Sequence, residues 1–264
     1  MALEALIFDV DGTLADTEEA HRQAFNRAFG IHGLDWDWDR ARYRALLDVT
    51  GGKERLRHHI ATLGLSAAAR ARLDALVGTL HEEKTRQYGA ILGQGEVKLR
   101  TGVARLLEEA VQAGCKLAIA STTTAANIDA LLHSTLGPRG LDMFSVIACG
   151  DQVRAKKPAP DVYRLALHNL GLHPEHAVAF EDSAHGLHAA LGAGLYTVVT
   201  PTFWTTHSDF SGASLLLPDL GDPALPLPGE PGTALQQFAW LGLNELEQRH
   251  GASGRRSSPT ELSA

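Results

Sequence analysis

Cysteine is nearly absent from this sequence: only Cys115 and Cys149 occur among 264 residues, and each stands in an apolar run. Two isolated cysteines exclude the disulfide framework of a small secreted domain. A cysteine-based zinc site is excluded as well, because further ligands at suitable spacing are missing. We expect both side chains to be free, buried thiols in a reducing compartment.

Long hydrophobic runs are missing too. No stretch approaches the ~20 apolar residues that a membrane-spanning helix needs. The N-terminal sequence MALEALIFDV has neither the basic region nor the long apolar region of a signal peptide. These features predict a cytoplasmic protein.

The sequence also lacks an excess of positive charge. Its formal net charge is -7, and acidic and basic residues are interspersed. This composition argues against a nucleic-acid or membrane-surface partner. We expect a monomer that acts on a small molecule, and an anionic substrate would need a local basic site.

The hydrophobic pattern changes twice along the chain. Residues 3–8 are apolar, as in a strand buried on both faces, and after residue 88 short apolar runs alternate with helical patterns. This alternation predicts an α/β core with a doubly wound, Rossmann-like parallel sheet. Between the first strand and residue 88, apolar residues recur at a spacing of three to four, which predicts an inserted all-helical domain. The predicted boundaries are 1–15 and 89–220 for the core, 16–88 for the insert, and 221–264 for a proline-rich linker, a terminal helix and a flexible tail.

Helix-end signals give finer predictions. Thr101 precedes the helical pattern VARLLEEAVQ and is a candidate N-cap. Near the end of the chain, ALQQFAWLGLNELEQRH predicts one helix over residues 234–250. The remaining residues, 251–264, have the composition of a disordered tail.

The stretch FDVDGT places Asp9 and Asp11 directly after the first buried strand. A calcium loop of the EF-hand type would need glycine at its sixth position and glutamate at its twelfth. Here glycine is fourth and Ala20 is twelfth, which excludes that reading. We predict that Asp9 is a nucleophile toward phosphorus and that Asp11 exchanges protons with the leaving group and water.

Two further strand ends carry groups suited to a phosphoryl ligand. Ser121 follows the strand in AIASTTT, where its hydroxyl and nearby amides, with Thr122, would bind phosphoryl oxygens. Lys157 stands just before a proline in RAKKPAPDVY and would neutralise charge beside the acids. Lys156 is its alternate.

The stretch AVAFEDS ends a fourth apolar run with Glu181 and Asp182. Unpaired acids in such a context are costly to bury, and Mg²⁺ would remove that cost. We predict a magnesium site formed by Asp9, Asp182 and the Asp11 carbonyl, with Glu181 holding a metal-bound water.

With these four stretches in order, residues 3 to about 220 resemble the haloacid dehalogenase-like (HAD) superfamily of phosphotransferases. The likeness rests on DVDGT, the strand-end Ser121, Lys157 before proline, and EDS. The resemblance implies a Mg²⁺-dependent phosphatase that works through an aspartyl-phosphate. The helical insert resembles the first type of cap (C1) in that superfamily, which closes over the site.

The insert narrows the resemblance to CbbY-type phosphatases of xylulose 1,5-bisphosphate, and so to the Calvin cycle. The similar stretches are ADTEEAHRQAFN, LDWDWDRARYRALL and TGGKERL. This likeness implies that Glu18 and His21 contact the sugar. It implies that Lys53, with Arg44 or Arg42, binds the phosphate that is not transferred. Substrate backbone contacts would come from Thr50, Gly51 and Gly52.

Two other functions stay open at this point. A phosphomutase of the β-phosphoglucomutase kind uses the same four motifs, and only cap closure and water exclusion separate it from a phosphatase. A non-catalytic sugar-phosphate-binding regulator would keep the fold without turnover. The TGGKER stretch favours the phosphatase.

Overall fold

The computed structural model describes residues 2–229 and 238–256. Six strands occur within these ranges, namely β1 Ala5–Phe8, β2 Lys116–Ala120, β3 Val146–Ala148, β4 Ala177–Glu181, β5 Tyr196–Val199 and β6 Leu215–Leu216. The α-helices there are α1 Glu18–Ile31, α2 Arg40–Leu46, α3 Gly52–Thr62, α4 Ala67–Leu92, α5 Val103–Gln112, α6 Ala125–Leu136, α7 Asp161–Leu170, α8 Ala184–Gly192 and α9 Leu243–Arg256.

The strands form one parallel sheet in the order β3-β2-β1-β4-β5-β6. Phe8 at the end of β1 pairs with Ile119 of β2 and with Phe180 of β4. The ends of these three central strands therefore lie side by side, as ligand sites in open α/β sheets require. The predicted doubly wound α/β fold is confirmed.

Alternate residues of β1 enter two different apolar cores. Leu6 and Phe8 pack with residues of α5, α6 and α9, whereas Ala5 and Ile7 pack with residues of α7 and α8. This period of two follows from the pleat of a strand covered by helices on both faces. The sheet is thus a rigid support for the residues at its carboxyl edge.

Helices α1 to α4 follow β1 and have an apolar cluster of their own, which includes Phe25, Phe29, Trp38, Tyr43 and Leu56. The last of them, α4, ends at Leu92, beyond the predicted end of the insert at residue 88. Among the described residues, no helix is both long and apolar enough to cross a membrane.

Two helix-end predictions are wrong. The N-cap of α5 is Gly102, with φ +79°, rather than Thr101. The terminal helix starts at Leu243 and continues to Arg256, whereas we predicted residues 234–250 and a disordered tail from 251. The predicted tail beyond residue 256 lies outside the described residues.

The described residues just before α9, 238–242, pack against the core and do not form a helix. Leu241 donates its amide to the carbonyl of Leu220 at 2.7 Å, and Leu243 donates its amide to Glu109 Oε2 at 2.8 Å. The side chains of Leu241 and Leu246 are fully buried in the main core. Both amides bond to distant parts of the core, and residues 238–242 are accordingly irregular rather than helical.

Candidate active site

The four strand-end stretches meet at one cavity between the sheet and the helical insert. Asp9, Ser121, Lys157 and Asp182 line it, and each of these side chains is at least nine-tenths buried. The structure therefore brings together the core residues predicted from sequence, except that Glu181 lies just behind the lining. These residues lie far apart in the sequence, but the parallel sheet brings the strand ends that carry them together.

Lys157 holds two of the acids. Its Nζ donates to Asp9 Oδ1 and to Glu181 Oε1, both at 2.6 Å. Burial would lower the pKa of Lys157, but the charges of Asp9 and Glu181 outweigh it and raise the pKa above its usual value. For Asp9, burial is the larger effect, and it raises the pKa to about 7 in spite of Lys157.

Glu181 is fixed from a second side. The hydroxyl of Tyr163, on α7, donates to the same Oε1 atom at 2.5 Å, and the Tyr163 ring lies 5.0 Å below Nζ of Lys157. A Cβ on Gly186 would lie 1.8 Å from Glu181 Oε2, so α8 can approach the carboxylate only because residue 186 is glycine. Sequence reasoning missed both of these neighbours.

Asp182 has little compensation for its charge. Among the described residues it forms no ion pair, and its one side-chain hydrogen bond is a 3.4 Å contact from Thr205 Oγ1. Burial and the charges of Asp9 and Glu181 raise the pKa of Asp182 well above its usual value. Gly12, with φ +84°, makes room for it, since a Cβ there would lie 2.3 Å from Oδ2.

This acidic cluster fits a divalent cation. One carboxylate oxygen each from Asp9, Glu181 and Asp182 lies within 4.8 Å of the other two. Lys157 supplies a single positive charge that Asp9 and Glu181 share, and Tyr163 is a neutral donor, so negative charge is left uncompensated, most of all on Asp182 beside Asp9. A cation between these two would favour their charged forms, and oxygen ligands of this kind suit Mg²⁺.

Asp11 faces the helical insert rather than the other acids. Its Oδ1 accepts hydrogen bonds from Thr17 Oγ1 at 2.6 Å and from His21 Nε2 at 2.8 Å. Lys84 Nζ in turn lies 2.7 Å from the other ring nitrogen of His21. Burial would raise the pKa of Asp11, but His21, Thr17 and the charge of Lys84 lower it below its usual range.

The insert contributes a basic wall opposite the acids. Lys53, Arg55 and Lys84 of the insert line the same cavity, together with Thr50, Gly51 and Gly52. Lys156 and Thr122 of the core complete this lining. His81 is also there, and burial together with Lys84 and Lys53 lowers its pKa to about 3. The backbone at Gly51 has φ +94°, which lets the chain turn over the cavity.

Most predicted insert residues reach the cavity, but Arg44 does not. Glu18 and His21 line it, and Glu18 Oε2 accepts a hydrogen bond from Tyr43. The guanidinium of Arg44 instead donates to His207 Nδ1 at 2.8 Å, outside the cavity. Arg44 lies on the outer side of α2, whereas Arg55 of α3 takes the position that faces the cavity.

The alternative candidate, Arg42, does not line the cavity either. Its guanidinium lies 3.1 Å from His59 Nδ1 within the insert. Neither arginine of α2 therefore contributes to the basic wall.

Lys84 and Arg55 were missed by sequence reasoning, although α4 carries a usable signal. Its buried positions Val77, Leu80, Lys84, Tyr88 and Ile91 follow one another at a spacing of three or four residues. A lysine on such an apolar stripe is unusual, because burial of an ammonium group needs a partner. Arg55 is also buried, and its guanidinium donates to Leu46 O and Tyr43 Oη. No local sequence pattern predicts these two hydrogen bonds.

A model of the haloacid dehalogenase-like hydrolases matches residues 3–194. The chain belongs to that family. Protein CbbY of Rhodobacter capsulatus is 52% identical over 224 residues, which cover 85% of this chain and 96% of that protein. A plasmid-encoded CbbY of Cupriavidus necator is 49% identical over 249 residues, covering 94% and 97%.

A solved structure extends this likeness to the fold. A variant of CbbY from Rhodobacter sphaeroides, in complex with xylulose 1,5-bisphosphate, matches with a TM-score of 0.77 and 47% identity. The match covers 84% of this chain and 98% of that one. The predicted membership of the CbbY-type branch of HAD hydrolases is confirmed.

Proposed function

We propose that this chain is a Mg²⁺-dependent sugar-bisphosphate phosphatase that converts xylulose 1,5-bisphosphate to xylulose 5-phosphate. The observation that carries the proposal is the division of the cavity. Acids that could attack phosphorus and bind a cation lie on the sheet side, and three basic side chains of the insert, with Lys156 of the core, lie across the cavity from them. A substrate with two phosphates matches this arrangement, and the CbbY relative solved with that sugar bisphosphate supports the choice.

Asp9 is the proposed nucleophile. One oxygen of its carboxylate is bound to Lys157, which leaves the other free to attack the transferred phosphorus. The P–O bond to the sugar breaks as the bond to Asp9 forms, giving an aspartyl-phosphate and a sugar alkoxide. Ser121 and Lys157 bind the charge that collects on the phosphoryl oxygens.

Asp11 is the proposed acid and base. Its contacts favour the ionised carboxylate, so it would first take up a proton as the anionic substrate binds beside it. It gives that proton to the departing alkoxide and later removes one from the water that hydrolyses the aspartyl-phosphate. His21 holds the carboxylate in place, and Lys84 holds His21. Proton transfer in this site therefore depends on side chains of the insert.

Mg²⁺ would be held by Asp9 and Asp182, with Glu181 behind them. When bound, it supplies positive charge that reduces the repulsion between the carboxylates and an incoming phosphate. The second phosphate would be bound by Lys53 and Arg55 of the insert and by Lys156 of the core, which is paired with Glu54 of the insert. The pKa of His81 keeps that ring uncharged, so it would contribute hydrogen bonds rather than charge.

The experiment is phosphate release with Mg²⁺ from xylulose 1,5-bisphosphate, ribulose 1,5-bisphosphate, fructose 1,6-bisphosphate, glucose 1-phosphate and β-glucose 1-phosphate. We expect strong preference for the xylulose compound, a monophosphate product and loss of activity in EDTA that Mg²⁺ restores. Conversion of β-glucose 1-phosphate to the 6-phosphate with little free phosphate would make the chain a phosphomutase. No turnover of any of these would favour a sugar-phosphate-binding regulator.

A further inference from the structure

The loop between β5 and β6, residues 200–214, is a core segment that reaches into the helical insert. Trp204 is 3% exposed, and its ring belongs to the apolar cluster of α1 to α4. Its centroid lies 5.6 Å from that of Tyr43 in an edge-to-face arrangement. A large aromatic side chain of the sheet domain is thus buried among residues of the insert.

A second contact fixes this loop on the outside. Arg44 of α2 donates to His207 Nδ1 through both Nε and Nη2, at 3.2 Å and 2.8 Å. The Arg44 guanidinium also lies 5.5 Å from the centre of the Phe203 ring. Because both donors point at Nδ1, His207 is in the tautomer that carries its proton on Nε2.

The same loop contacts the acidic cluster. Thr205 lines the cavity, and its hydroxyl donates to Asp182 Oδ2 and accepts from the amide of Thr202. At its base, the loop is tied to the core by Arg100, whose Nη2 donates to the Pro201 carbonyl at 3.0 Å. One short segment therefore joins the cation-binding edge of the sheet to the insert.

Tyr43, against which Trp204 packs, leads back to the cavity. Its hydroxyl donates to Glu18 Oε2 at 2.7 Å and accepts from Arg55 Nη1 at 3.0 Å. Both Glu18 and Arg55 line the cavity on the insert side. A shift of Trp204 would move Tyr43 and, with it, two side chains that face the substrate.

We propose that the β5–β6 loop is a latch that holds the insert over the active site. Trp204 and His207 are its positioning residues: Trp204 orients Tyr43, and His207 holds Arg44. The kinetic consequence rests on the proposed phosphatase function, whereas the structural consequence does not. Weakening the latch lowers the fraction of molecules in which the insert is in place, and a lower fraction raises the apparent substrate KM.

The test uses two variants of the latch and a matched control for each. Trp204→Ala and His207→Ala remove the latch contacts. Trp36→Ala removes an aromatic ring that packs on Phe29 and His59 within the insert, and His58→Ala removes an exposed histidine of α3. Thermal melting first identifies the variants that fold, and His207→Ala, at the surface, serves if Trp204→Ala does not.

We expect KM for xylulose 1,5-bisphosphate to rise about fivefold in Trp204→Ala and about twofold in His207→Ala, with kcat within about twofold. Trp204→Phe should recover most of the loss. Amide hydrogen exchange over residues 43–56 should accelerate in both latch variants and not in the controls. Equal exchange and equal KM in latch and control variants would overturn the proposal.

The exchange measurement needs no substrate. If the wild-type chain fails to hydrolyse xylulose 1,5-bisphosphate, the proposed function fails. Faster exchange confined to the latch variants would still support the latch, and exchange at the control rate would overturn it independently.

Discussion

Asp9 and Asp11 stand two residues apart, yet their surroundings move their pKa values in opposite directions. Burial raises the pKa of Asp9 to about 7, while His21 and Thr17 lower that of Asp11 despite its burial. Two carboxylates whose environments separate their pKa values can take different chemical roles. At the scale of single residues, contacts with the insert keep Asp11 ionised and able to accept a proton, whereas Asp9 needs the positive charge of a cation to be ionised for attack on phosphorus.

Replacing Asp9 by Asn should reduce kcat by about 10³-fold or more, because an amide cannot form the aspartyl-phosphate. The melting temperature should be unchanged or higher, since the substitution removes one charge from a crowded acidic cluster. Phosphate release and thermal melting check both statements. Substantial turnover by the folded variant would contradict the assignment of Asp9 as nucleophile.

Lys84 should determine the alkaline limb of the pH profile. Burial lowers its pKa to about 8, with Asp11 opposing this change and Arg55 adding to it. The ammonium is therefore charged below about pH 8 and loses its charge above it, so kcat/KM of the wild type should fall above that pH. Lys84→Met should lower kcat/KM about tenfold or more at pH 7 and remove this limb.

The matched control is Lys98→Met, because Lys98 is exposed and does not line the active-site cavity. It should retain the wild-type profile. An alkaline limb that persists unchanged in Lys84→Met would show that another group titrates there.

At the scale of elements, the sequence predicts strands better than helix ends. A strand such as ALIF can be recognised from its own apolar composition, and the structure has β1 at these residues, Ala5–Phe8. The N-terminus of α5 depends on a distant backbone instead, because a Cβ on Gly102 would lie 2.1 Å from the carbonyl oxygen of Gly221. Local capping chemistry favours Thr101 as the N-cap of α5. The close approach of the Gly221 backbone makes Gly102 the N-cap instead.

Gly102→Ala should lower the free energy of unfolding by about 2–4 kcal/mol, from the positive φ and the contact with backbone. The matched control is Gly78→Ala in α4, where nothing lies within 4 Å of an added Cβ. That change should raise the free energy of unfolding by about 0.5–1 kcal/mol. Urea denaturation of both variants checks the pair, and a loss of similar size in each would contradict the role given to Gly102.

The active site shows the same limit of prediction. Asp9, Ser121, Lys157 and Asp182 were predictable because each directly follows a strand or carries a local motif. The apolar stripe of α4 marks Lys84 as unusual, but its role was not predictable, since its partner His21 lies 63 residues away. Residues that act through contacts between distant segments need the folded structure, and the loop that carries Trp204 is another example.

At the scale of the whole molecule, the segment 238–256 is part of the core. Leu241 and Leu246 are fully buried, and Arg105 Nη2 donates to the Leu241 carbonyl at 3.0 Å. Composition alone predicted a linker followed by a helix, because the proline-rich stretch before it masks how much apolar surface this segment buries. The fold is therefore larger than the core that the sequence pattern predicts to end at residue 220.

A chain shortened after residue 229 should melt about 10 °C or more below the full-length protein. It loses three buried leucines, Leu241, Leu243 and Leu246, and each is worth about 1.5–3 kcal/mol. A chain shortened after residue 256 keeps all three and should melt within about 2 °C of the full length. Calorimetry of the two chains decides, and equal melting temperatures would show that the segment adds no stability.

The contact between His21 and Asp11 spans the boundary between the insert and the sheet. It has a consequence for inhibition. A compound that binds between α1 and the sheet would separate the His21 imidazole from the Asp11 carboxylate without contacting Asp9, Glu181 or Asp182. Such a compound would block proton transfer without competing for the cation, and its potency would not change with the concentration of Mg²⁺.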